Sequence, residues 1–595
     1  MSTLLWILAG ILAYTAAAIA LKQRGLLPAS VNVSGPLTTI HTKRGREFLD
    51  RLSKPKRFWR AFANVGVGVA LVVMAGTFLL LVAQGIAMLH SPPEQTAFQS
   101  PQNVLVIPGV NEFLPLSVAP EIVAGLLIGL VVHEGGHGLL CRVEDIDINS
   151  MGVVLFTILP IGAFVEPDEE SARETDRGAR TRMFAAGVTN NFVVTIVAFL
   201  LLFGPIVGAI GVAPGAAIGG SFPGTGAAEA GIEQGDRIVA IDDREVESND
   251  HLFEVLEEVD ATTVSVTLSD GRTLEVERSM LVTTIAADSP FAGPDGIGVD
   301  PDDPDTIVAI NGEPVATEAA LAAAVGDDEV VDVELDDGTV VTGPLGVFGT
   351  VTPDGPLDGA ESADGTLTAG EHLVITSIAG ERTIETQDLQ RALSAHDPGD
   401  VVEVVAYVDG DRYVLEVTLA DRGDGSAIVG ISGLEGMSGI GVNSFGVMPY
   451  PAETFLSILG GAVDGGLATV MLFILVLPFS SLIVPDVDFN FAGFVEANAA
   501  FYEVSGSLAV LGEPVVFLLA NLLFWTGWIN FNLALFNCIP AFPLDGGRIL
   551  RAATESIIAR LPVSEKLVAT RAVTTSVGLM MLVSLVLLIF GPRLL

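Results

Sequence analysis

A histidine, a glutamate and a second histidine stand in one short run, His133-Glu134-Gly135-Gly136-His137. On a helix, positions four apart share a face, so both imidazoles can reach one metal ion. Glu134 lies close enough to take a proton from a water at that metal. Zinc lowers the pKa of such a water towards neutrality. Patterns of five residues also arise by chance, but the setting sharpens this one. Residues 122–140 are an apolar run that carries three ionisable groups within five positions. Ionisable groups are costly in a bilayer and mark function there. The plainer reading is a polar cluster satisfied by neighbouring helices. Gly135, Gly136 and Gly138 weaken a helix in water, yet in a membrane they let a neighbouring backbone come close.

Two histidines leave a tetrahedral zinc one protein ligand short, with the fourth position for water. The candidate is Asp545, in the stretch NCIPAFPLDGGR at 537–548. Pro540 and Pro543 break any helix there, and Gly546-Gly547 keeps the backbone open. Freed backbone in a membrane must line a cavity or pack on protein. Taken alone, the same stretch reads as a helix-ending turn with Asp545 as a cap.

HEGGH at 133–137, NCIP at 537–540 and LDG at 544–546 together resemble the site-2 protease family of intramembrane metalloproteases. A further element of that family, G-x-x-x-N, stands as GVTNN at 187–191. The resemblance implies Zn2+ held by His133, His137 and Asp545, with Glu134 as general base and acid. It also implies single-span membrane proteins as substrates, cut within or near the bilayer. Asn191 and Asn537 become polar groups near the cleft that position substrate or stabilise an oxyanion; hydrogen bonds between helices are the alternative. The apolar run 151–165 is too short and broken for a span. In this family such a segment forms a membrane hairpin beside the site, whose free strand edge can pair with an unwound substrate. Three departures are visible: additional N-terminal helices, an extra apolar segment, and more than one inserted module.

These residues need a membrane scaffold. Half of the 595 residues are hydrophobic and the mean hydropathy is +0.57. Apolar runs suited to spans of roughly 20 residues lie at 4–21, 62–89, 120–140, 184–212, 455–483, 514–536 and 574–590. No basic stretch precedes the first run and no clear cleavage site follows it, so it reads as a retained helix rather than a signal peptide. Ten Lys or Arg between Lys22 and Arg60 put that loop in the cytoplasm. Arg548, Arg551, Arg560, Lys566 and Arg571 mark a second cytoplasmic end, close to Asp545. The region between then lies outside the membrane on the far face. An odd number of crossings must separate it from Arg548, whereas two apolar runs stand there. Either the first of them dips in and returns, as Gly460, Gly461, Gly465 and Gly466 suggest, or part of the segment at 489–511 enters the membrane.

The net charge is −43, and 47 of the 72 Asp and Glu fall within 213–450, with eight Arg and no Lys. This pattern reads as a solvated surface adapted to high salt, where screening is strong. Without a basic face there is no nucleic-acid reading. The insert repeats itself: DRIVAIDDREV at 236–246 resembles DTIVAINGEPV at 305–315, with a weaker echo in HLVITSIAGER at 372–382. GIEQGDRIV at 231–239 resembles the core turn and strand of a PDZ domain, giving one clear PDZ-like module and one or two degenerate ones. Cys141 and Cys538 make no disulfide framework and read as small buried residues.

The expectation is a polytopic α-helical membrane protein, with an intramembrane metalloprotease core and inserted α+β PDZ-like domains. Its parts are the N-terminal helices and basic loop (1–117), two halves of the catalytic core (118–212 and 451–595), and the acidic extracytoplasmic insert (213–450). The active site lies near the cytoplasmic side of the cell membrane. Rival readings are a catalytically silent scaffold binding proteins through its modules, a prenyl-protein-processing zinc protease, and a transporter. Intact Glu134 and the ligand set oppose the first. The second needs a downstream Glu motif that is missing, and the zinc motifs do not suit the third.

Overall fold

Asp176 caps a long apolar helix by accepting a hydrogen bond from the Ala179 amide, and Pro120 sits in the first turn of another. Such starts fix where membrane helices begin. The computed structural model describes residues 3–90, 106–110, 114–293, 296–299, 304–363, 365–461, 466–483 and 489–594. Its principal helices are α1 (Thr3–Gln23), α2 (Lys43–Leu52), α3 (Lys56–His90), α4 (Ala119–Val143), α5 (Arg177–Leu201), α6 (Glu513–Asn537), α7 (Asp545–Ile558) and α8 (Lys566–Leu594). Among the described residues α3, α4, α5, α6 and α8 are long and apolar enough to cross a membrane.

The expected span at 455–483 is not one helix. It is broken into Ala452–Leu459 and a helical run made of Leu467–Val476, the tight turn Leu477–Phe479 and Ser480–Ile483. Gly461 and Gly466 adopt positive φ, at 71° and 84°, and Pro478 lacks the amide that would continue the ladder. Gly465 lies outside the described residues.

The chain gathers into two compact units. One comprises Met1–Val212, Glu453–Val495 and Tyr502–Leu595; the other comprises Ala213–Ala452 and Glu496–Phe501. The second therefore recruits a short later segment beyond the expected 213–450. Ala213 N–H donates to the Phe501 carbonyl, and Asn498 Nδ2 donates to Tyr450 Oη.

In the first unit α4, α5 and α6 pack through glycines. A Cβ on Gly125 would stand 3.0 Å from the Trp525 carbonyl, and one on Gly136 would stand 2.8 Å from that of Ala186. The three backbones thus approach more closely than alanines would allow. Beside them lies an antiparallel sheet of four strands, β1 (Val31–Ser34), β2 (Leu37–His41), β3 (Ile148–Phe156) and β4 (Leu159–Pro167), in that order. β3 and β4 form the hairpin expected around 151–165, and β4 is the edge strand. A short pair, β5 (Ile210–Val212) with the strand Tyr502–Val504, is separate.

The second unit holds three modules with one strand order. The first has β6 (Ala216–Ser221), β7 (Arg237–Ile241), β8 (Thr263–Leu268) and β9 (Thr273–Glu277). The next has β10 (Met280–Ile285), β11 (Thr306–Ile310), β12 (Val330–Leu335) and β13 (Val340–Pro344). The third has β14 (Val347–Val351), β15 (His372–Ile378), β16 (Val401–Val408) and β17 (Asp411–Thr418). The three sequence echoes fall on β7, β11 and β15, the same position in each sheet. Each module also carries a helix between its second and third strands: Asn249–Glu257, Glu318–Val325 or Thr386–Ser394.

Every sheet is closed by a fifth strand from a single late segment: β18 (Ile431–Glu435), β19 (Ile440–Asn443) and β20 (Val447–Pro449). β18 closes the third module, β19 the second and β20 the first. The modules are therefore nested: the first to open is the last to close. Each has its own apolar core. Two arginines, Arg278 buried and Arg382 half-buried, tie the modules to one another. Arg278 donates to the Leu256 and Val259 carbonyls, Glu318 and Ser444. Arg382 donates to the Asp328, Leu345, Thr376 and Thr383 carbonyls. An arginine fork suits this task because its five donors can satisfy several carbonyls at once.

Candidate active site

α4 carries His133, Glu134 and His137 on consecutive turns, and both histidines are buried. Asp545 is the first residue of α7 and is 6% exposed. The loop before it folds back tightly. A Cβ on Gly546 would stand 2.3 Å from the Ile539 carbonyl, and one on Gly547 would stand 2.8 Å from Ala541. Only glycines fit there.

This folding brings three ligand atoms together. His133 Nε2 and His137 Nε2 are 3.2 Å apart. Asp545 Oδ2 lies 3.1 Å from the first and 3.0 Å from the second. It is the one cluster of potential metal ligands among the described residues. His137 Nδ1 is 2.8 Å from the Met183 carbonyl, which can only accept, so Nδ1 carries the proton and Nε2 a lone pair. His133 Nδ1 is 3.3 Å from the Asn191 amide. With both Nε2 atoms carrying lone pairs, as metal binding requires, three acceptor atoms about 3 Å apart, one of them on a carboxylate, repel one another without a cation between them. Zinc bonds of roughly 2.0–2.2 Å give tetrahedral edges of about 3.3 Å, close to the observed triangle. The donor set therefore fits zinc.

One side of this triangle is formed by a missing side chain. A Cβ on Gly187 would stand 2.6 Å from His137 Nε2 and 2.8 Å from His133 Nε2. Sequence reasoning reaches Gly187 only as the first letter of G-x-x-x-N; its contact with both rings is visible only in three dimensions. The Met183 carbonyl carries no sequence signal at all.

Glu134 is half-buried and points to the sheet: its Oε2 accepts from the Val165 N–H of β4 at 2.9 Å. The outer edge of β4 is thus beside the base. Along an antiparallel strand the outward groups alternate, so Ala163 presents its N–H and C=O on the same side as Val165. Asn191 is fully buried, with its amide against His133 and its Oδ1 unpartnered. Asn537 donates its amide to the Leu533 carbonyl of its own helix. The structure thus brings His133, His137, Asp545, Glu134 and Asn191 together, and leaves Asn537 bonded to α6. Cys141 and Cys538 are free and buried.

A model of Peptidase family M50 matches residues 121–585, most of the chain and both halves of the site. The chain belongs to peptidase family M50. This is the site-2 protease family that the motifs resemble. Among curated relatives, an uncharacterized protein of Methanocaldococcus jannaschii is 28% identical over 165 residues, covering 27% of this chain. The matched part spans 42% of that relative's length. M50 membership and five apolar helices make this a multi-pass membrane protein of a metalloprotease family.

Proposed function

We propose that the chain is an intramembrane zinc endopeptidase that cuts membrane-spanning, single-span protein substrates. The observation that carries this reading is the convergence of His133, His137 and Asp545 on one point, one residue from Glu134. A zinc ion held by these three supplies Lewis acidity for activating water and polarising a scissile carbonyl. Glu134 takes the proton from the attacking water and returns it to the departing nitrogen. The Met183 carbonyl fixes the tautomer of His137, and the Asn191 side chain holds the ring of His133 in place, the outer-sphere role of orienting metal ligands. Asn191 therefore acts on His133 rather than on substrate. The outer edge of β4 binds the substrate as an added strand. That arrangement unwinds a helical segment and exposes its peptide bonds next to Glu134.

The deciding experiment is cleavage of candidate single-span proteins by purified enzyme and by Glu134→Gln. The variant keeps its zinc while proteolysis falls roughly 10²–10⁴-fold, the usual contribution of a general base. Near-normal cleavage by this variant refutes the assignment.

The insert then lies outside the cell and acts as a docking site or size filter through its PDZ-like modules, with an acidic surface suited to high salt. The topology supports this. α6 is the one long apolar helix between the insert and Arg548 among the described residues, which gives the odd number of crossings that the charges require. A cysteine at Asp337, in a background lacking Cys141 and Cys538, reacts with an impermeant reagent on intact cells. One at Lys54 reacts only after lysis. Reversed labelling overturns the orientation and the filter with it.

A further inference from the structure

The loop that carries Asp545 forms one wall of a second cavity, of about 480 Å³, completed by α3 and α8. Apart from Thr574 and Thr575, the side chains lining it are apolar, including Leu81, Phe542, Leu550 and Leu582. Nothing stands within 4 Å of where a Cβ on Gly578 would be, so the glycine keeps the groove open. Phe542 and Leu582 are more than half exposed, as side chains facing hydrocarbon are.

The dimensions match one leaflet. From Thr574 to Leu585 the lining of α8 covers about 16 Å at 1.5 Å per residue, near half of the ~30 Å hydrocarbon core. Arg571 precedes Thr574, Thr575 and Gly578 by three, four and seven positions, so it shares their face. It sits about 4.5 Å further along the axis, beyond the N-terminal end of the lining. It is exposed, and among the described residues no carboxylate forms an ion pair with it.

We propose that this groove holds one hydrocarbon tail of an anionic lipid, with the lipid phosphate on Arg571. The tail fills the space against Pro540, Ala541 and Phe542 and so buttresses the loop that presents Asp545. The site is independent of peptide hydrolysis and stands or falls by lipid binding alone.

Native mass spectrometry of the purified full chain tests it. The probes are a phosphatidylglycerol, a phosphatidylcholine with the same tails, and glycerol phosphate as a tail-less anion. One phosphatidylglycerol is retained per chain, phosphatidylcholine is lost, and glycerol phosphate does not compete. Arg571→Lys retains the lipid. Arg571→Glu weakens it at least fivefold, the equivalent of the ~1 kcal/mol that a basic residue contributes near an anionic lipid surface. Gly578→Leu fills the groove and loses the lipid with Arg571 intact. If that variant loses its zinc as well, Thr575→Leu takes its place. Equal retention of both lipids, unchanged retention by Arg571→Glu, or competition by glycerol phosphate overturns the proposal. Displacement of the lipid by a single-span peptide in the wild type also overturns it, because the groove is then a substrate path.

Discussion

Gly187→Ala separates the metal site from the fold that carries it. The added methyl would stand 2.6 Å from His137 Nε2, 2.7 Å from His133 Cε1 and 2.8 Å from His133 Nε2. Ordinary contacts begin near 3.4 Å, so 0.6–0.8 Å of movement is required. α5 cannot simply retreat. It holds His137 through the Met183 carbonyl and His133 through Asn191, and it packs on Gly136 through Ala186. Overpacking of this kind costs about 1–3 kcal/mol, here levied on the state in which the rings converge. Zinc affinity therefore falls roughly 5–140-fold. The helix itself gains, because alanine is favoured over glycine in a helix interior by ~1 kcal/mol. The two effects have opposite signs in two assays. Chelator competition on the purified protein reads the loss of zinc affinity, while thermal unfolding of the metal-free protein shows no loss of stability. Gly76→Ala is the control, since nothing lies within 4 Å of its Cβ position. Zinc affinity within twofold of wild type in Gly187→Ala refutes the cradle.

Two further outcomes follow from the same contacts. Asn191→Leu removes the partner of His133 Nδ1 and lowers zinc affinity roughly 10–100-fold; chelator competition with an unchanged value shows that the amide only packs helices. In the insert, Arg278→Met strands the Val259 carbonyl, leaves that of Leu256 with its backbone donors alone, and costs about 1–3 kcal/mol. Glu318 is 37% exposed and rehydrates, which keeps the loss from being larger. Hydrogen exchange in the full chain reads this as faster exchange across the first two modules, with zinc content unchanged.

Much of the site is legible in the sequence because ligand chemistry is carried by residue type. His133, Glu134, His137 and Asp545 announce themselves as ionisable groups in apolar runs, and the repeats announce themselves through β7, β11 and β15. What escapes is carried by shape. Gly187 matters for the side chain it lacks, and Met183 for a carbonyl that every residue has. Asn537 reads as a cleft residue in the sequence, and its amide bonds the Leu533 carbonyl, a contact that no motif announces. The run at 455–483 is apolar enough for a span, yet glycines at positive φ divide it into pieces shorter than a bilayer. The closing strands β18–β20 have three to five residues each, too few for a period to identify which sheet each one completes.

The nested order of those strands sets a timetable for synthesis. Domains ordinarily fold from the N-terminus as they emerge, but here the first module waits longest. Its fourth strand ends at Glu277 and its fifth begins at Val447, 170 residues later. At about 5–20 residues per second that interval is roughly 9–34 s, during which the edge of β6 that β20 will cover stands open. The innermost module is complete once Glu435 has emerged, and the others close behind it within fourteen residues, at Asn443 and Pro449. A chain halted just after Glu435 therefore contains one finished module inside two unfinished ones, each with a bare strand edge that invites pairing with a neighbouring chain.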